Sequence, residues 1–398
     1  MKKITAILAS ALLFSSIYAE TAFTGKTGIA AKFVNQKSRS FDPSMNLDGF
    51  FAGQMNFGTN FLVRGEFSVQ TGDIYDDFFS ETESIFRFDE LSATYIMPFY
   101  GVTHFFSLFL GTFEPIGNQS FLQHNLGVES FSSPLTENYL NLNGCNVYDF
   151  YGYGGAYSFR FNSLPISSGI LIYKNNKNED EASQLNGDFR LGTAFKYLTS
   201  DSTIGISAPM NTVNAQGEDV VLLIDTIYLH AGIDALIGER DGSGLFLQAG
   251  FENLPIRSPN QESKISVRDF YFLFEPRLYV EPCWFYFSFY NIPEEKCKKT
   301  LLLDDMLGFN MTFISNKFSF KNLSMKAGLH YTFSFEDKDM KDFGDDDFMD
   351  SSSIKISPFA KIDCMKGELN LLLQFNVTKF ADSKPESLKF TAGYKRTL

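Results

Sequence analysis

Apolar and polar residues alternate with a period of two in segment after segment of this chain, each roughly ten to fourteen residues long. In the segment from 61 to 70, Phe61, Val63, Phe67 and Val69 fall on one face, and Arg64, Glu66, Ser68 and Gln70 on the other. Met325, Ala327, Leu329, Tyr331 and Phe333 alternate in the same way with Lys326, Gly328, His330 and Thr332. Leu369, Leu371, Leu373 and Phe375 alternate with Glu368, Asn370 and Gln374. A helix repeats every 3.6 residues and does not sustain such a pattern. A soluble β-sandwich also alternates, but the number of segments and the bulk of the apolar face, rich in Phe, Leu and Tyr, favour a wall that meets lipid.

The connections carry a second regularity. Long polar ones fall near 36–46, 72–84, 115–146, 174–187, 209–218, 254–267, 291–304, 336–351 and 381–386. Short ones fall near 58, 98–101, 162–164, 200–201, 234–243, 281–283, 315–323 and 365–367. Strict alternation of the two kinds predicts an all-β fold: a closed antiparallel transmembrane β-barrel of 16–18 strands, with eighteen the best count. Its long loops would lie outside and its short turns in the periplasm. The stretch Val220 to Ile237 is the least regular, because Asp225 interrupts its apolar face, and it also reads as a helix. Residues 1–19 have the basic start, apolar run and small residue (Ala19) of a secretory signal peptide. The barrel would then occupy 20–398, in a cell outer membrane. No later apolar run is long enough for a spanning helix.

If the apolar face meets lipid, the polar face lines the lumen. That places Arg64, Glu66, Arg160, Arg190, Lys196, Arg277, Lys326 and Lys361 on the wall of a pore. The whole chain carries −13, so a mildly basic wall implies strongly acidic loops. A water-filled lumen ringed by both signs suits passive diffusion of small polar solutes or ions. A surface adhesin or structural barrel, or a channel for hydrophobic compounds, is the competing expectation. The 45 Phe and 18 Tyr suit strands and membrane interfaces. The single Trp, Trp284, follows a short turn where an interface girdle belongs.

The third connection is the longest and carries His124, Glu129 and Glu137 with no Lys or Arg, making these residues candidates for a constriction. The preceding strand ends Phe109-Leu110-Gly111-Thr112-Phe113-Glu114-Pro115-Ile116-Gly117. That segment resembles the strand-to-loop passage of the phosphate-selective porins. The resemblance implies an eighteen-stranded barrel with an inward third loop. Members of that family also use a ladder of basic residues, and the acidic third loop here departs from it, so only the scaffold carries over. The last strand, Leu388 to Leu398, lacks the usual terminal aromatic of a barrel-assembly signal, as in a divergent lineage such as the spirochaetes. The resemblance extends to partners: outer-membrane lipids, the barrel-assembly machinery and, by analogy, a homotrimer.

Other chemistry has little support. The four His are scattered, with no HExxH, GxSxG or Cys/His spacing. No catalytic residue, metal site, cofactor or nucleic-acid partner is expected. The acidic run from Glu336 to Asp350 reads as a solvated loop. Cys283 and Cys364 are expected at the periplasmic rim and Cys145 and Cys297 outside, as free thiols, with Cys145–Cys297 the one external pair worth testing.

Overall fold

The computed structural model describes residues 21–36, 43–74, 85–137, 145–175, 183–213, 219–224, 226–257, 267–320, 323–336, 338 and 351–398. The signal-peptide expectation for 1–19 and nearly all of the acidic run 336–350 lie outside the described residues. The first nine barrel strands are β1 (Thr21–Asn35), β2 (Pro43–Phe57), β3 (Phe61–Gln70), β4 (Ile85–Phe99), β5 (Val102–Gly111), β6 (Gly152–Phe161), β7 (Ile166–Asn175), β8 (Gln184–Ala194) and β9 (Leu198–Pro209). The remaining nine are β10 (Ile227–Gly238), β11 (Gly244–Arg257), β12 (Phe270–Val280), β13 (Cys283–Asn291), β14 (Leu307–Ser315), β15 (Leu323–Phe335), β16 (Ser352–Cys364), β17 (Gly367–Asn376) and β18 (Leu388–Thr397).

Every strand pairs antiparallel with its sequence neighbours, and β1 pairs with β18 from Lys26↔Thr397 to Val34↔Lys389. The sheet is therefore a closed eighteen-stranded barrel, with no free edge to satisfy. The strands run for 9–15 residues, enough to cross a bilayer at the usual tilt. Two short segments, Asn211–Val213 and Asp219–Leu223, form a separate hairpin in the long connection before β10. That hairpin, not a helix, accounts for the irregular stretch near Val220.

The two faces obey opposite rules. Outside, Ile29, Leu108, Ile170, Ile172, Ile204 and Ile206 each leave more than half of their surface uncovered. Covering one such side chain is worth about 1.5–3 kcal/mol, so a continuous wall of them calls for an apolar surrounding. Inside, Ser92, Thr94, Thr103, Ser107, Asn186 and Asp188 are buried and polar.

Two connections fall elsewhere than expected. The turn expected at 200–201 lies at 195–197, and β10 continues through Asp234 to Gly238. Asp201 and Asp234 have the composition of turn residues, yet both are strand residues buried in the lumen. Lys196 is consequently a rim residue and not a wall residue: it sits in the turn after β8, largely exposed, with Nζ 3.2 Å from Glu239.

Candidate functional site: a lumen divided by the third loop

The described parts of the third connection, 112–137 and 145–151, turn inward and pack against the inner face of the wall. Ile116 and Tyr148 pair across its two limbs, and a short helix α1 (Ser120–Leu126) packs against β8, β7 and β6. Phe113, Ile116, Phe121, Leu122, Leu135 and Val147 of the loop form one apolar core with inward Leu171, Tyr173, Leu236, Phe246, Leu273 and Tyr290 of the wall. Close approach needs missing side chains on the wall. A Cβ on Gly192 would lie 2.7 Å from Leu122 and 2.9 Å from Phe121. A Cβ on Gly250 would lie 2.8 Å from the Ala231 carbonyl and collide with Val147.

Polar side chains of the wall bind the loop. Arg190 is clamped by Asp201 through Nε (2.9 Å) and Nη2 (2.5 Å), donates to the Glu114 carbonyl, and lies 4.5 Å from the Phe121 ring centre. Arg277 pairs with Glu275 (2.9 Å) and donates to the Phe131 carbonyl (2.8 Å). Glu275 also accepts from Ser133 (2.5 Å), and Arg160 donates to the Asn125 carbonyl (2.9 Å). Gln119 donates to Asp234 (2.5 Å). At the far side of the lumen, Lys361 of β16 donates to Glu137 (2.8 Å). Three of the wall arginines expected to face solutes are therefore engaged by the loop. A buried charge is tolerated only when paired and hydrogen-bonded, and Arg190 and Arg277 meet that condition.

On the loop itself, the Glu114 carboxyl is 2.8 Å from His124 Nδ1. Burial works against the Glu114 charge, but the His124 hydrogen bond and nearby cations hold its pKa below the usual carboxylate range. Burial and the Arg64 charge depress His124. Burial opposes ionisation of Glu137 too, and the Lys361 charge outweighs it, leaving the pKa low.

A second inward segment supports the first. Helix α2 (Glu294–Cys297) places buried Lys296 against Glu252 (2.7 Å) and the carbonyls of Asn146 (2.9 Å) and Val147 (2.8 Å). Asp304 then meets Lys355 (2.8 Å) and Lys389 (3.1 Å). Cys145 and Cys297 are both buried free thiols within this core. They are not exposed outside as expected, because both connections fold inward.

One constellation has the composition of a hydrolase triad. Ser207 Oγ lies 3.1 Å from His230 Nδ1, and His230 Nε2 lies 2.7 Å from Asp188. All three are buried, the Tyr148 ring stacks on His230 at 4.3 Å, and Tyr173 bonds both Asp188 and Tyr148. Without access for a substrate, the chain of hydrogen bonds positions the return limb of the loop. Sequence spacing gives no hint of it, since the members come from β8, β9 and β10. Among the described residues no group of His, Cys, Asp and Glu could hold a metal ion.

What remains open lies on the other side. A cavity of about 510 Å³ runs between the loop and the wall formed by β1–β4 and β18. Its lining includes Lys26, Arg64, Glu66, Glu90, Lys395 and, from the loop, His124 and Glu137. A larger vestibule of about 1220 Å³ opens at the short-turn end, lined by Glu129, Arg160, Arg277 and Lys326. Ser130 and Ser132 line both spaces. Trp284 also lines the vestibule and is inward-facing, not a girdle residue. Its parity is that of Tyr286 and buried Ser288.

No protein-family model matches the chain, and no curated protein matches it. Among solved structures it is similar to OmpF of Salmonella typhi, at 12% identity over 96% of this chain and 99% of that one, with a TM-score of 0.41. It is also similar to the outer membrane protein opdK of Pseudomonas aeruginosa (9%, 95% and 98%, TM-score 0.48). OccAB4 of Acinetobacter baumannii is a third such structure (9%, 96% and 99%, TM-score 0.49).

Proposed function

We propose that the protein is an outer-membrane channel for passive diffusion of small polar solutes or ions, narrowed by its third loop. The observation that carries this reading is the polar cavity between the loop and the β1–β4 wall, enclosed by a barrel whose outer face is apolar. Residues of both signs, Lys26, Arg64, Glu66 and Glu90, line it, so a hydrated solute would exchange water for side chains without being trapped. Residues 1–19 would serve as the export signal. Bilayer lipid, the barrel-assembly machinery and a homotrimeric state belong to the same proposal. In this reading Arg64 and Glu66 have their pore-lining places beside the loop. Arg160, Arg277 and Lys326 take theirs at the short-turn end, Glu129 faces the vestibule, and Lys361 acts through Glu137.

Refolded protein in a planar bilayer tests the proposal. Steady single-channel steps are expected. A folded barrel that stays silent would overturn it in favour of a surface adhesin or a hydrophobic-compound route.

A further inference from the structure

Inward cations differ in how they are neutralised. In and beneath the loops, Arg190 faces Asp201, Lys361 faces Glu137, and Lys355 and Lys389 share Asp304. At the short-turn end, Arg160, Arg240 and Lys326 line one vestibule, and among the described residues none of them makes an ion pair. Arg160 is held by the Asn125 carbonyl, and Arg240 by Thr199 Oγ1 at 3.0 Å. The two vestibule carboxylates, Glu129 and Asp241, do not pair with these cations.

A second observation points to an absent acceptor. The Arg277 side chain, more than nine-tenths buried, lines the same vestibule, and its Nη2 has no hydrogen-bond partner. An orphaned buried donor costs about 1–3 kcal/mol, and this one belongs to a cation of the vestibule wall that its protein partners leave incompletely satisfied. Beside it stands an aromatic surface. Trp284 is stacked with Tyr286 at 6.0 Å and backed by Tyr279 at 4.7 Å, while Arg277 lies over the Tyr286 ring.

We infer that this vestibule is a binding station for a small organic anion bearing a flat ring. The unpaired cations would take its carboxylate, and Trp284 with Tyr286 would take its face. The inference deepens the channel reading and rests on it for the route by which the anion arrives.

Trp284 is the only Trp in the chain, so its fluorescence reports on this site and no other. Detergent-solubilised, refolded full-length protein is titrated with 4-nitrobenzoate and, separately, with neutral 4-nitrobenzamide, both quenchers. Saturable quenching by the carboxylate is expected, with the amide binding at least roughly tenfold more weakly. The double variant R160Q/K326Q should weaken the carboxylate about tenfold and leave the amide unchanged. R240Q provides a second reading at a rim position remote from the loop contacts. Equal quenching by both compounds, or carboxylate affinity unchanged in a double variant that retains its circular dichroism, overturns the inference. The assay needs no ion flow. A silent bilayer with saturable quenching refutes the channel and keeps the site; a conducting barrel without saturation refutes the site alone.

Discussion

The two halves of the barrel wall share one strand pattern and fold around different contents. On β6 to β13, inward positions hold Leu171, Tyr173, Leu236, Phe246, Leu273 and Tyr290, and among them Arg190 and Arg277 are buried and ion-paired. On β1 to β4 and β18 they hold Lys26, Gln54, Arg64, Glu66, Glu90 and Lys395, which line a cavity. Inward parity therefore decides only that a side chain leaves the lipid. Whether it meets water or a hydrophobic core depends on where the third loop lies.

Removing one charge on each half should separate them most sharply. Asp201→Asn leaves the Arg190 guanidinium buried without its charge partner, and removing one member of such a pair costs roughly 3–5 kcal/mol. Lys26→Gln removes one charge from an exposed position on the open half and should stay within about 0.5 kcal/mol. Urea midpoints in lipid vesicles, followed by Trp284 fluorescence, measure both. Similar midpoints would abolish the distinction between the halves.

Steric change comes next in size. Gly250→Val forces a side chain into Val147 and the Ala231 carbonyl. Overpacking of this kind costs about 1–3 kcal/mol, and it should lift the return limb of the loop and raise single-channel conductance. Gly65 on β3 has nothing within 4 Å of its would-be Cβ, so Gly65→Val should leave conductance as it was. Charge on the open half should act on selectivity. Arg64 bonds Gln54 (2.9 Å) and lines the cavity beside Glu66, so Arg64→Gln should move the reversal potential in a salt gradient toward cations. An unmoved potential would place the ion path elsewhere.

Much of the barrel is legible in the sequence because lipid imposes period two on every strand. The long third loop and its lack of Lys and Arg were legible too. What was not legible came from chemistry that reads alike in two settings. Asp201 and Asp234 look like turn residues, and only their partners, Arg190 across the β8–β9 hairpin and Gln119 in the third loop, make them wall residues. A signal for the covered half was nevertheless present. Ile170-Leu171-Ile172-Tyr173 and Phe270-Tyr271-Phe272-Leu273-Phe274 are apolar at both parities, the mark of a strand covered on both faces. Trp284 was misplaced because an aromatic beside a turn suits a girdle and a vestibule equally.

The smallest effect should appear where the loop touches the open half. Glu137 and Lys361 are both partly exposed, so their pair is worth only about 0.2–1 kcal/mol. Its pH dependence has a definite sign. Burial opposes the Glu137 charge but Lys361 outweighs it, and the folded pKa lies below the ordinary 4.5. The pair's contribution is therefore complete above the ordinary carboxylate value and is lost as pH falls through the depressed one. Open-channel noise should be flat from pH 7 to about 5 and rise only in more acid solution. Glu137→Gln should show the acid-side noise already at pH 7 and lose the pH step. A step retained in that variant would mean that the far end of the loop is held by something other than this pair.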